Sequence, residues 1–528
     1  MRKNFIFLFL LFFSLYNSQV PVIEWEKYIG GSQHEKVFAT RQTSDGGYVF
    51  AGSTHSVFID DIFMGHHGST TRADYWILKT DSSGSLQWTK SFGGNEEDIA
   101  YDIQQTQDGG YIMTGTSGSN NGDVTDHHGY EGSGDCWVTK LDAAGNLQWK
   151  KSFGGVGHDE SRAIIITNDG NYLIAGSSYS MDSYLNDHHG PPSTSDGWII
   201  KIDPNGNLMW SKSLGGTNHD VFNDVKQTPD GGYILVGHSR SNDGDVTGNH
   251  GPYPYPYDDV WVVKVDANGN LQWQKSIGGS FNDLGNSIQL TSDGGYIIAG
   301  ESMSSDGDVS AHFGDPASLY PYSDFWVVKL NSFGNIEWEK SLGGNNFDIA
   351  KKIKITPDGG YIVFGETASL DGQITEHFGG TDFYDYWLVK LDSAGDIQWQ
   401  KSLGGVRQES AGDILVFNNN NFLVAGYSTS NSFSVNDALI YKLGPVNTLS
   451  VKDPKKDKLI NIYPNPVKDK LYFSEELHNI NIFTIDGRKV KEIISGQDID
   501  LSHLPEGEYL MKASDKNKKT LSKTIIKN

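Results

Sequence analysis

The chain is poor in cysteine, with Cys136 the single example among 528 residues. One thiol can form no intramolecular disulfide and cannot build a cysteine cluster for a metal. In other copies of an internal repeat, the same position holds Tyr75, Gly197, Val260, Phe325 or Tyr386. Such residues indicate a packing position within a strand. The sequence therefore argues against a disulfide scaffold and against catalysis by this thiol.

Positive charge is also scarce, because 42 Lys and Arg stand against 66 Asp and Glu, giving a formal net charge of −24. Nucleic acids and anionic membranes bind proteins through clustered Lys and Arg. Neither is therefore a predicted partner. The acid excess belongs to the repeats, since residues 451–528 carry 15 Lys and Arg against 12 Asp and Glu.

The first 18 residues carry a short apolar run. Residues 1–18 have a basic head at Arg2 and Lys3, an apolar middle over 5–13 and small or polar residues at the end. This pattern is typical of a secretory signal peptide, and the run is too short for a comfortable membrane span. No cysteine follows it, which argues against a lipoprotein anchor. We expect a signal peptide over 1–18, a mature chain from about Gln19 and no transmembrane segment.

Repetition is what the sequence has in abundance. The tryptophan of a W-x-K-x-x-G-G segment recurs at Trp25, Trp88, Trp149, Trp210, Trp273, Trp338 and Trp399. The intervals are 63, 61, 61, 63, 65 and 61 residues. A nearly fixed period of this size indicates one supersecondary unit copied along the chain.

Each copy divides into four short strands, here named A to D, by alternation and turn residues. In the second copy, strand A is predicted over 99–106, strand B over 111–116, strand C over 136–142 and strand D over 147–153. Connections this short, rich in glycine, make neighbouring strands antiparallel. The sequence predicts an all-β fold made of four-stranded meanders.

A ring of such sheets can bury both faces of each one, and β-propellers contain four to eight four-stranded blades. The first copy begins at 22–25 without a strand C, and the last ends at 437–443 without a strand D. Pairing these ends completes a blade and removes two open sheet edges. The sequence therefore predicts a seven-bladed β-propeller over 19–446, closed by its terminal strands.

Two residue types repeat inside the strands and are predicted to serve packing. Strand B carries a glycine at Gly52, Gly115, Gly176, Gly237, Gly300, Gly365 and Gly426. We expect a bulky side chain of a neighbouring blade to approach the backbone there. The tryptophans of strands C and D are expected to pack between blades, and a row of sugar-stacking platforms is the alternative.

The meander sets which loops share a face of the ring. The A–B and C–D turns lie on one face, and the B–C loops with the D–A crossovers lie on the other, here named the B–C face. An acid follows each Gly-Gly pair by four residues, at Glu35, Asp98, Asp159, Asp220, Asp283, Asp348 and Glu409. With strand A innermost, these carboxylates are predicted to ring the channel mouth. Alternatively, each accepts backbone N–H bonds in its own crossover.

The B–C loops are rich in histidine and aspartate. The candidate metal ligands are His66, His67, His127, His128, His188, His189, Asp123, Asp245 and Asp308. Imidazole beside carboxylate can ligate a transition metal, and Asp-rich loops can bind calcium. Each loop offers only two or three such groups, so hydrogen-bonded loop staples are the alternative. No cofactor is required for the favoured function, and bound calcium is the alternative expectation.

Two neighbouring B–C loops are lengthened by tyrosines interleaved with prolines. These residues are Tyr253, Tyr255, Tyr257, Tyr320 and Tyr322. Exposed tyrosine provides contact area at low entropic cost, which indicates a ligand-contacting patch. The alternative is that the rings pack down over their own loops.

The repeat pattern stops after Pro445. A polar linker is expected over 447–458, and a second β unit over 459–528 is predicted to be a small Ig-like β-sandwich. Its predicted strands are Ile460 to Tyr463, Leu471 to Phe473, Ile480 to Ile485, Glu508 to Ala513 and Leu521 to Ile526.

The motifs of this second unit are Tyr463-Pro464-Asn465-Pro466, then Ile485-Asp486-Gly487-Arg488, then Leu504-Pro505-Glu506-Gly507 and a basic end at Lys523 to Lys527. In this order they resemble the C-terminal sorting domain of type IX secretion cargo in Bacteroidetes-type bacteria. The resemblance implies contact with the type IX machinery and its sorting peptidase, and export through the outer membrane. It also implies removal of this domain and release or surface attachment of the remainder. The repeats resemble propeller-like proteins of those secretomes, which implies a fold and little function.

The favoured function is a secreted or surface-attached binding module, monomeric and without catalysis, for an extracellular glycan or protein in adhesion or nutrient capture. One alternative is a polysaccharide hydrolase or lyase that uses ring carboxylates or a His-bound metal. A structural component of the cell surface or matrix is the other.

Overall fold

The computed structural model describes residues 20–59, 62–182, 185, 187–252, 257–314, 321–380, 382–418, 420–431, 435–445, 462–463, 467–484, 488–514 and 520–527. All regular secondary structure in these ranges is β. The chain divides into two compact units, Met1–Val446 and Asn447–Asn528.

The strands of the first unit are β1 (Val22–Ile29), β2 (Glu35–Gln42), β3 (Tyr48–Thr54), β4 (Phe58–Ile59), β5 (Ile62–Phe63), β6 (Asp74–Thr80), β7 (Leu86–Phe92), β8 (Asp98–Gln105), β9 (Tyr111–Ser117), β10 (Asp135–Leu141), β11 (Leu147–Phe153), β12 (Asp159–Ile166), β13 (Tyr172–Ser178), β14 (Asp196–Ile202), β15 (Leu208–Leu214), β16 (Asp220–Gln227), β17 (Tyr233–Ser239), β18 (Asp259–Val265), β19 (Leu271–Ile277), β20 (Asp283–Leu290), β21 (Tyr296–Ser302), β22 (Asp324–Leu330), β23 (Ile336–Leu342), β24 (Asp348–Ile355), β25 (Tyr361–Thr367), β26 (Asp385–Leu391), β27 (Ile397–Leu403), β28 (Glu409–Phe417), β29 (Asn421–Ser428) and β30 (Asp437–Gly444).

These strands form repeated four-stranded antiparallel blades. In the described residues the blades are β2-β3-β6-β7, β8-β9-β10-β11, β12-β13-β14-β15, β16-β17-β18-β19, β20-β21-β22-β23, β24-β25-β26-β27 and β28-β29-β30-β1, here numbered 1 to 7. The strand A of each blade contacts the strand A of the next, and β28 of the last blade contacts β2 of the first. The A strands therefore surround a central channel.

The last blade is completed by the start of the chain. Strand β1 pairs antiparallel with β30, with Tyr28 opposite Leu439 and Ile29 opposite Ala438. This register confirms the terminal pairing predicted from the incomplete first and last copies. It places β30 inside the sheet and makes β1 the outer strand of the blade, as strand D is in the other blades. An unpaired β30 would otherwise invite pairing with another chain.

A β-bulge interrupts every strand A at its fourth residue. In blade 2, Ala100 pairs with Gly115 and Asp102 pairs with Thr114, which leaves Tyr101 without a partner in the ladder. Next to this bulge, a Cβ added to Gly115 would lie 1.9 Å from the Ile99 carbonyl oxygen. The corresponding distances at the other six strand-B glycines are 1.8 to 2.1 Å. The glycine is therefore required by strand A of its own blade at all seven positions. The predicted approach of a bulky side chain from a neighbouring blade is confirmed at Gly115, Gly365 and Gly426, where the added Cβ would lie 2.6 to 2.8 Å from Tyr75, Phe325 or Tyr386.

The tryptophans pack as predicted. Those of strand C are buried in the blade interfaces. Those of strand D reach the next blade, as Trp88 shows. A Cβ added to Gly145, in the C–D turn of blade 2, would lie 2.7 Å from the Trp88 ring, and the Trp88 and Tyr111 ring centroids are 5.9 Å apart. Equivalent contacts join Trp25, Trp149, Trp210, Trp273 and Trp338 to turn glycines of the following blades.

The second unit contains β31 (Ile462–Tyr463), β32 (Lys470–Thr484), β33 (Lys489–Asp500), β34 (Gly507–Ser514) and β35 (Thr520–Lys527). They pair in the order β31-β32-β34-β35, and β33 also pairs with β32. Strand β33 was not predicted, because most of its residues are exposed and it lacks an apolar alternation. The two-sheet Ig-like arrangement stays a prediction.

Candidate binding cavities in the central channel

The bulge in strand A decides which side chains face the channel. Strict alternation would turn every second residue inward, but the inserted residue shifts the phase, so that the fourth, fifth and seventh positions line the channel. The fourth positions are Phe38, Tyr101, Arg162, Asn223, Asn286, Lys351 and Gly412. At the first position, by contrast, all seven blades carry an acid. The residue type is therefore the same in all copies where the fold needs it, and it differs between copies where side chains face the channel.

A cavity of about 340 Å³ occupies the half of the channel nearer the B–C face, and it is named here the upper cavity. Its lining residues are Phe38, Tyr101, Arg162, Asn223, Asn286, Lys351, Lys352, Glu366, Ser410, Ala411, Gly412 and Tyr427. They come from several blades, so no local motif in the sequence contains the cavity.

One wall of the upper cavity is aromatic. The Phe38 ring centroid lies 5.4 Å from that of Tyr101 and 6.3 Å from that of Tyr427. The Arg162 guanidinium lies 4.5 Å from the Tyr101 ring centroid and donates to Glu160 at 2.8 to 3.1 Å. Although burial opposes ionisation, His158 and Arg162 lower the pKa of Glu160 to about 2. The wall thus combines apolar ring faces with a fixed cation.

The opposite wall is polar. The Asn223 side-chain amide donates to the Gly285 carbonyl at 2.9 Å, and that of Asn286 donates to the Ala350 carbonyl at 2.9 Å. Each amide is thereby fixed against the strand A of the next blade.

The neighbouring cation on this wall is also held in place, because the Lys351 ammonium lies 3.5 Å from the Glu366 carboxylate. Burial would lower the pKa of Lys351, but Glu366 and Glu301 raise it. Glu366 also accepts from the Ser410 hydroxyl and the Ala411 N–H, each at 2.9 Å.

A second cavity of about 320 Å³ lies toward the A–B turns and is named the lower cavity. Its lining residues are Arg41, Asp102, Gln104, Ala163, Ile164, Ile165, Ile166, Asp224, Lys226, Lys352, Lys354 and Asp413. Lys352 lines both cavities, so the two share a wall.

The aspartates of the lower cavity connect consecutive blades. Asp102 accepts from the Ile164 N–H at 2.9 Å, and Asp224 accepts from the Ile288 N–H at 3.0 Å. Asp413 accepts from the Thr40 N–H of the first blade at 3.1 Å. Sequence reasoning missed these residues, although an acid at the fifth position of strand A in only three copies was a visible signal.

The seven acids predicted at the channel mouth are not exposed there. All seven side chains are 0 % exposed. Asp98 is representative: it accepts from the Gly94 N–H at 2.8 Å, from the Ser119 hydroxyl at 2.9 Å and from the Ser117 hydroxyl. Each acid closes its own D–A crossover, because the preceding Gly-Gly turn folds over the carboxylate. The channel-mouth prediction is corrected, and the alternative of local backbone bonding is the one observed.

In the B–C loops, the aspartate that begins strand C lies beside both histidines and accepts a backbone N–H from the second one. The Nδ1 atom of His66 lies 3.3 Å from the Asp74 carboxylate, and the His67 N–H donates to the same group at 2.7 Å. His127 and His128 meet Asp135 in the same way, as do His188 and His189 with Asp196. Sequence reasoning missed this aspartate, although every strand C begins with one.

The aspartates proposed as metal ligands join the same network. Asp123, Asp245 and Asp308 accept at 3.3 Å from the N–H groups of Gly93, Gly215 and Gly278 respectively. Within the part of the chain that the structure describes, no group of three or more His, Cys, Asp or Glu could hold a metal ion. Calcium binding by these loops stays a prediction.

Of the tyrosine patch, Tyr253, Tyr255 and Tyr320 lie outside the described residues. The Tyr257 ring centroid lies 5.6 Å from that of Phe281, and the Tyr322 ring centroid lies 4.7 Å from that of Phe347. Both phenylalanines belong to crossovers leading to the next blade. Tyr322 nevertheless remains 46 % exposed on the B–C face.

Of the sorting motif, Pro464, Asn465, Pro466, Asp486 and Gly487 lie outside the described residues. Arg488 is described, and its carbonyl accepts from the Thr484 N–H at 2.9 Å beside β33.

Comparison with known proteins identifies the C-terminal unit. Residues 461–527 match the family described as "Secretion system C-terminal sorting domain". This match supports the predicted type IX sorting domain and indicates secretion or export to the cell surface. No helix among the described residues is long and apolar enough to cross a membrane.

Similarity elsewhere in the chain is more distant. The regulatory protein FlaEY of Caulobacter vibrioides is 27% identical over 217 residues, which are 40% of this chain and 22% of FlaEY. The chain thus matches less than a quarter of that protein's length.

Similar solved structures include the WD40 domain of Neurospora crassa Pan2, which is 12% identical in sequence. The match covers 78% of this chain and 89% of that chain, with a TM-score of 0.41. Another is Sqt1 from Chaetomium thermophilum, with 10% identity, coverage of 81% and 100%, and a TM-score of 0.41.

Proposed function

We propose that the first unit is an exported, monomeric seven-bladed β-propeller that binds an extracellular glycan. The match of residues 461–527 to a secretion sorting domain supports export. The ligand enters from the B–C face and occupies the upper cavity, and no bond of the ligand is broken. The second unit is an Ig-like β-sandwich that the secretion machinery and its sorting peptidase recognise.

The observation that carries this function is the break in the repeat at the channel. Where blades pack against one another, the seven copies keep one residue, as at the strand-C tryptophan, or exchange mainly uncharged residues, as at the position of Cys136. At the fourth position of strand A the chemistry instead changes from phenyl and phenol to guanidinium, amide and ammonium. A ring of equivalent positions that differ in chemistry supports an asymmetric ligand in the channel, because packing alone gives no reason for the differences.

The two walls of the upper cavity suit a saccharide. The apolar face of a sugar ring can pack on Phe38 and Tyr101, while its hydroxyls can bond to Asn223, Asn286 and Arg162 on the other sides. The volume of about 340 Å³ falls within the roughly 300–1,000 Å³ of typical ligand pockets.

The rim of the B–C face supports an extended ligand. Large apolar side chains exposed on its loops and crossovers are Phe58, Phe63, Tyr130, Val156, Met181, Tyr322, Leu370, Phe378 and Val406. Exposed apolar residues collected on one face are typical of interaction surfaces. Tyr322 belongs to this rim, and the half-buried Tyr257 packs on the crossover residue Phe281. These two tyrosines of the predicted patch would contact the part of a glycan that lies outside the cavity.

A glycan array followed by calorimetry on the chain without its signal peptide tests this function. Tyr101→Ala and Phe38→Ala should each weaken binding of the best oligosaccharide by about tenfold, because each removes a stacking surface. Phe333→Ala is the matched control, since Phe333 is 75 % exposed on the opposite face. Unchanged affinity in both cavity variants, or an array without any ligand, would reject the cavity as a glycan site.

The alternative of a hydrolase or lyase loses its proposed catalytic acids, because the seven first-position carboxylates are buried beneath their crossovers. Incubation with each bound polysaccharide should therefore release no new reducing ends and no unsaturated products. Release of either product would replace binding with catalysis.

A further inference from the structure

The lower cavity concentrates positive charge inside an acidic protein. Arg41, Lys226, Lys352 and Lys354 line it together with Asp102, Asp224 and Asp413. Four cations therefore face three acids, although the whole chain has a formal net charge of −24.

The three acids are already engaged. Arg41 donates to Asp102 and, at 2.7 Å, to Asp413. Lys226 forms an ion pair with Asp224. The other oxygen of each carboxylate accepts a backbone N–H group, that of Ile164 at 2.9 Å, Ile288 at 3.0 Å or Ile414 at 2.8 Å. Arg41 and Lys226 thus neutralise much of the acidic charge in the cavity.

Two ammonium groups are left over, both on β24. Within the described ranges the Lys352 ammonium has no side-chain hydrogen bond or ion pair, and only longer-range attraction links it to Asp224 and Asp413. The nearest carboxylate oxygen to the Lys354 ammonium, Asp413 Oδ1, is 3.9 Å away. Burial, together with the neighbouring Arg41, Lys226 and Lys352 charges, outweighs Asp413 and lowers the pKa of Lys354 to about 8. Positive charge concentrated in a confined channel favours the binding of an anion.

We propose that the lower cavity is an anion site, in which Lys352 and Lys354 bind a carboxylate, sulfate or phosphate group with Lys226 beside them. Ammonium groups form strong charge-assisted hydrogen bonds with such oxyanions. Because Lys352 also lines the upper cavity, the group can be a free ion or the charged substituent of an acidic sugar. The site does not depend on glycan binding, since the excess of cations over acids in the lower cavity is present either way.

Calorimetry and thermal unfolding of the full chain without its signal peptide, at pH 7 and constant ionic strength set with sodium chloride, test this site. The probes are sulfate, phosphate, glucuronate and neutral glucose. We expect at least one anion to bind and to raise Tm beyond the chloride reference. Lys352→Gln with Lys354→Gln should weaken that binding by about tenfold or more.

Lys340→Gln with Lys401→Gln is the matched control, because it makes the same change in net charge on strands β23 and β27 outside the channel and should leave the affinity unchanged. Each single variant at 352 or 354 provides a second measurement if the double variant unfolds. Preference for glucuronate identifies an acidic sugar as the source, and equal or tighter binding of sulfate or phosphate identifies a free anion. The proposal would be overturned if no anion bound the unmodified chain. It would also be overturned if folded variants at 352 and 354 bound the anion as tightly as the unmodified chain.

Discussion

At the residue scale, the fold buries seven carboxylates at the entrance to strand A. Burial raises the pKa of Asp98, Asp220, Asp283 and Asp348 to about 7, although serine or threonine hydroxyls and a glycine N–H stabilise each charge. These acids therefore hold a proton more tightly in the folded chain than in the unfolded chain, where the pKa of aspartate is about 3.9. Their role is structural, and it makes the stability of the fold depend on pH.

Linkage between proton binding and folding gives the direction in which stability changes with pH. A folded pKa of about 7 for Asp98 means that its contribution to stability is complete below about pH 4 and is lost as the pH rises to about 7. Asp98→Asn removes this titration. We expect the free energy of unfolding of the variant, relative to the unmodified chain, to improve by about 2 kcal/mol or more between pH 5 and pH 8. Urea unfolding at the two pH values measures it.

Asp108→Asn is the control for that comparison. Burial opposes ionisation of Asp108, but Lys140 at 2.8 Å and the Thr106 hydroxyl lower its pKa to about 2. Both its folded and unfolded pKa values therefore lie below pH 5, so the effect of this substitution should be equal at the two pH values. An equally flat response of Asp98→Asn would show that the buried acid does not titrate in this range.

At the element scale, the bulge in strand A determines which side chains face the channel and which face the core. It brings the fifth residue to the same side as the fourth and places a carbonyl against the glycine of strand B. The seven glycines are therefore fixed by backbone geometry, while the seven fourth positions are free to differ. This division explains how one repeat can build both a uniform ring and an asymmetric cavity.

Gly115→Ala tests the bulge. The added Cβ would lie 1.9 Å from the Ile99 carbonyl oxygen, and a backbone group within a ladder cannot move away without breaking hydrogen bonds. We expect the free energy of unfolding to fall by about 2 kcal/mol or more, measured by urea denaturation. Gly380→Ala is the control, because nothing lies within 4 Å of its added Cβ. Equal midpoints for the two variants would contradict the steric account.

At the scale of the whole molecule, stability depends on ring closure. The pairing of β1 with β30 joins residues more than four hundred positions apart, and the Tyr441 hydroxyl donates to Glu26 at 3.2 Å across the same junction. A chain lacking residues 20–29 keeps every other strand of the ring but exposes one edge of β30. Such an edge is a template for pairing with another chain.

We therefore expect deletion of residues 20–29 to lower Tm by several degrees and to produce aggregates, as measured by calorimetry and size-exclusion chromatography. Deletion of residues 447–528 is the control, because these residues form a separate compact unit. It should leave the unfolding transition of the first unit in place. A monomeric, equally stable product of the first deletion would show that the ring does not need β1.

Much of the architecture could be read from the sequence because it is encoded locally. Alternation, glycine turns and the repeated tryptophan located the four strands of each copy, and the missing strands at the two ends predicted the β1 and β30 pairing. The sorting domain was readable for the same reason, since its motifs are short and ordered. Strand β33 escaped prediction because an exposed strand leaves no apolar pattern.

The channel, by contrast, was decided by the tertiary structure. A one-residue bulge reverses which side chains face inward, and nothing in the alternation of strand A marks where it occurs. Asp98 and its counterparts lie beneath the crossovers because the preceding Gly-Gly turn folds over each carboxylate. Arg41 meets Asp413, 372 positions away, only because the ring closes. The sequence alone determined the repeating unit and its closure, through local hydrogen-bonding and apolar patterns. Only the assembled blades determined which charged and aromatic side chains share the channel, because those side chains are neighbours in space and not along the chain.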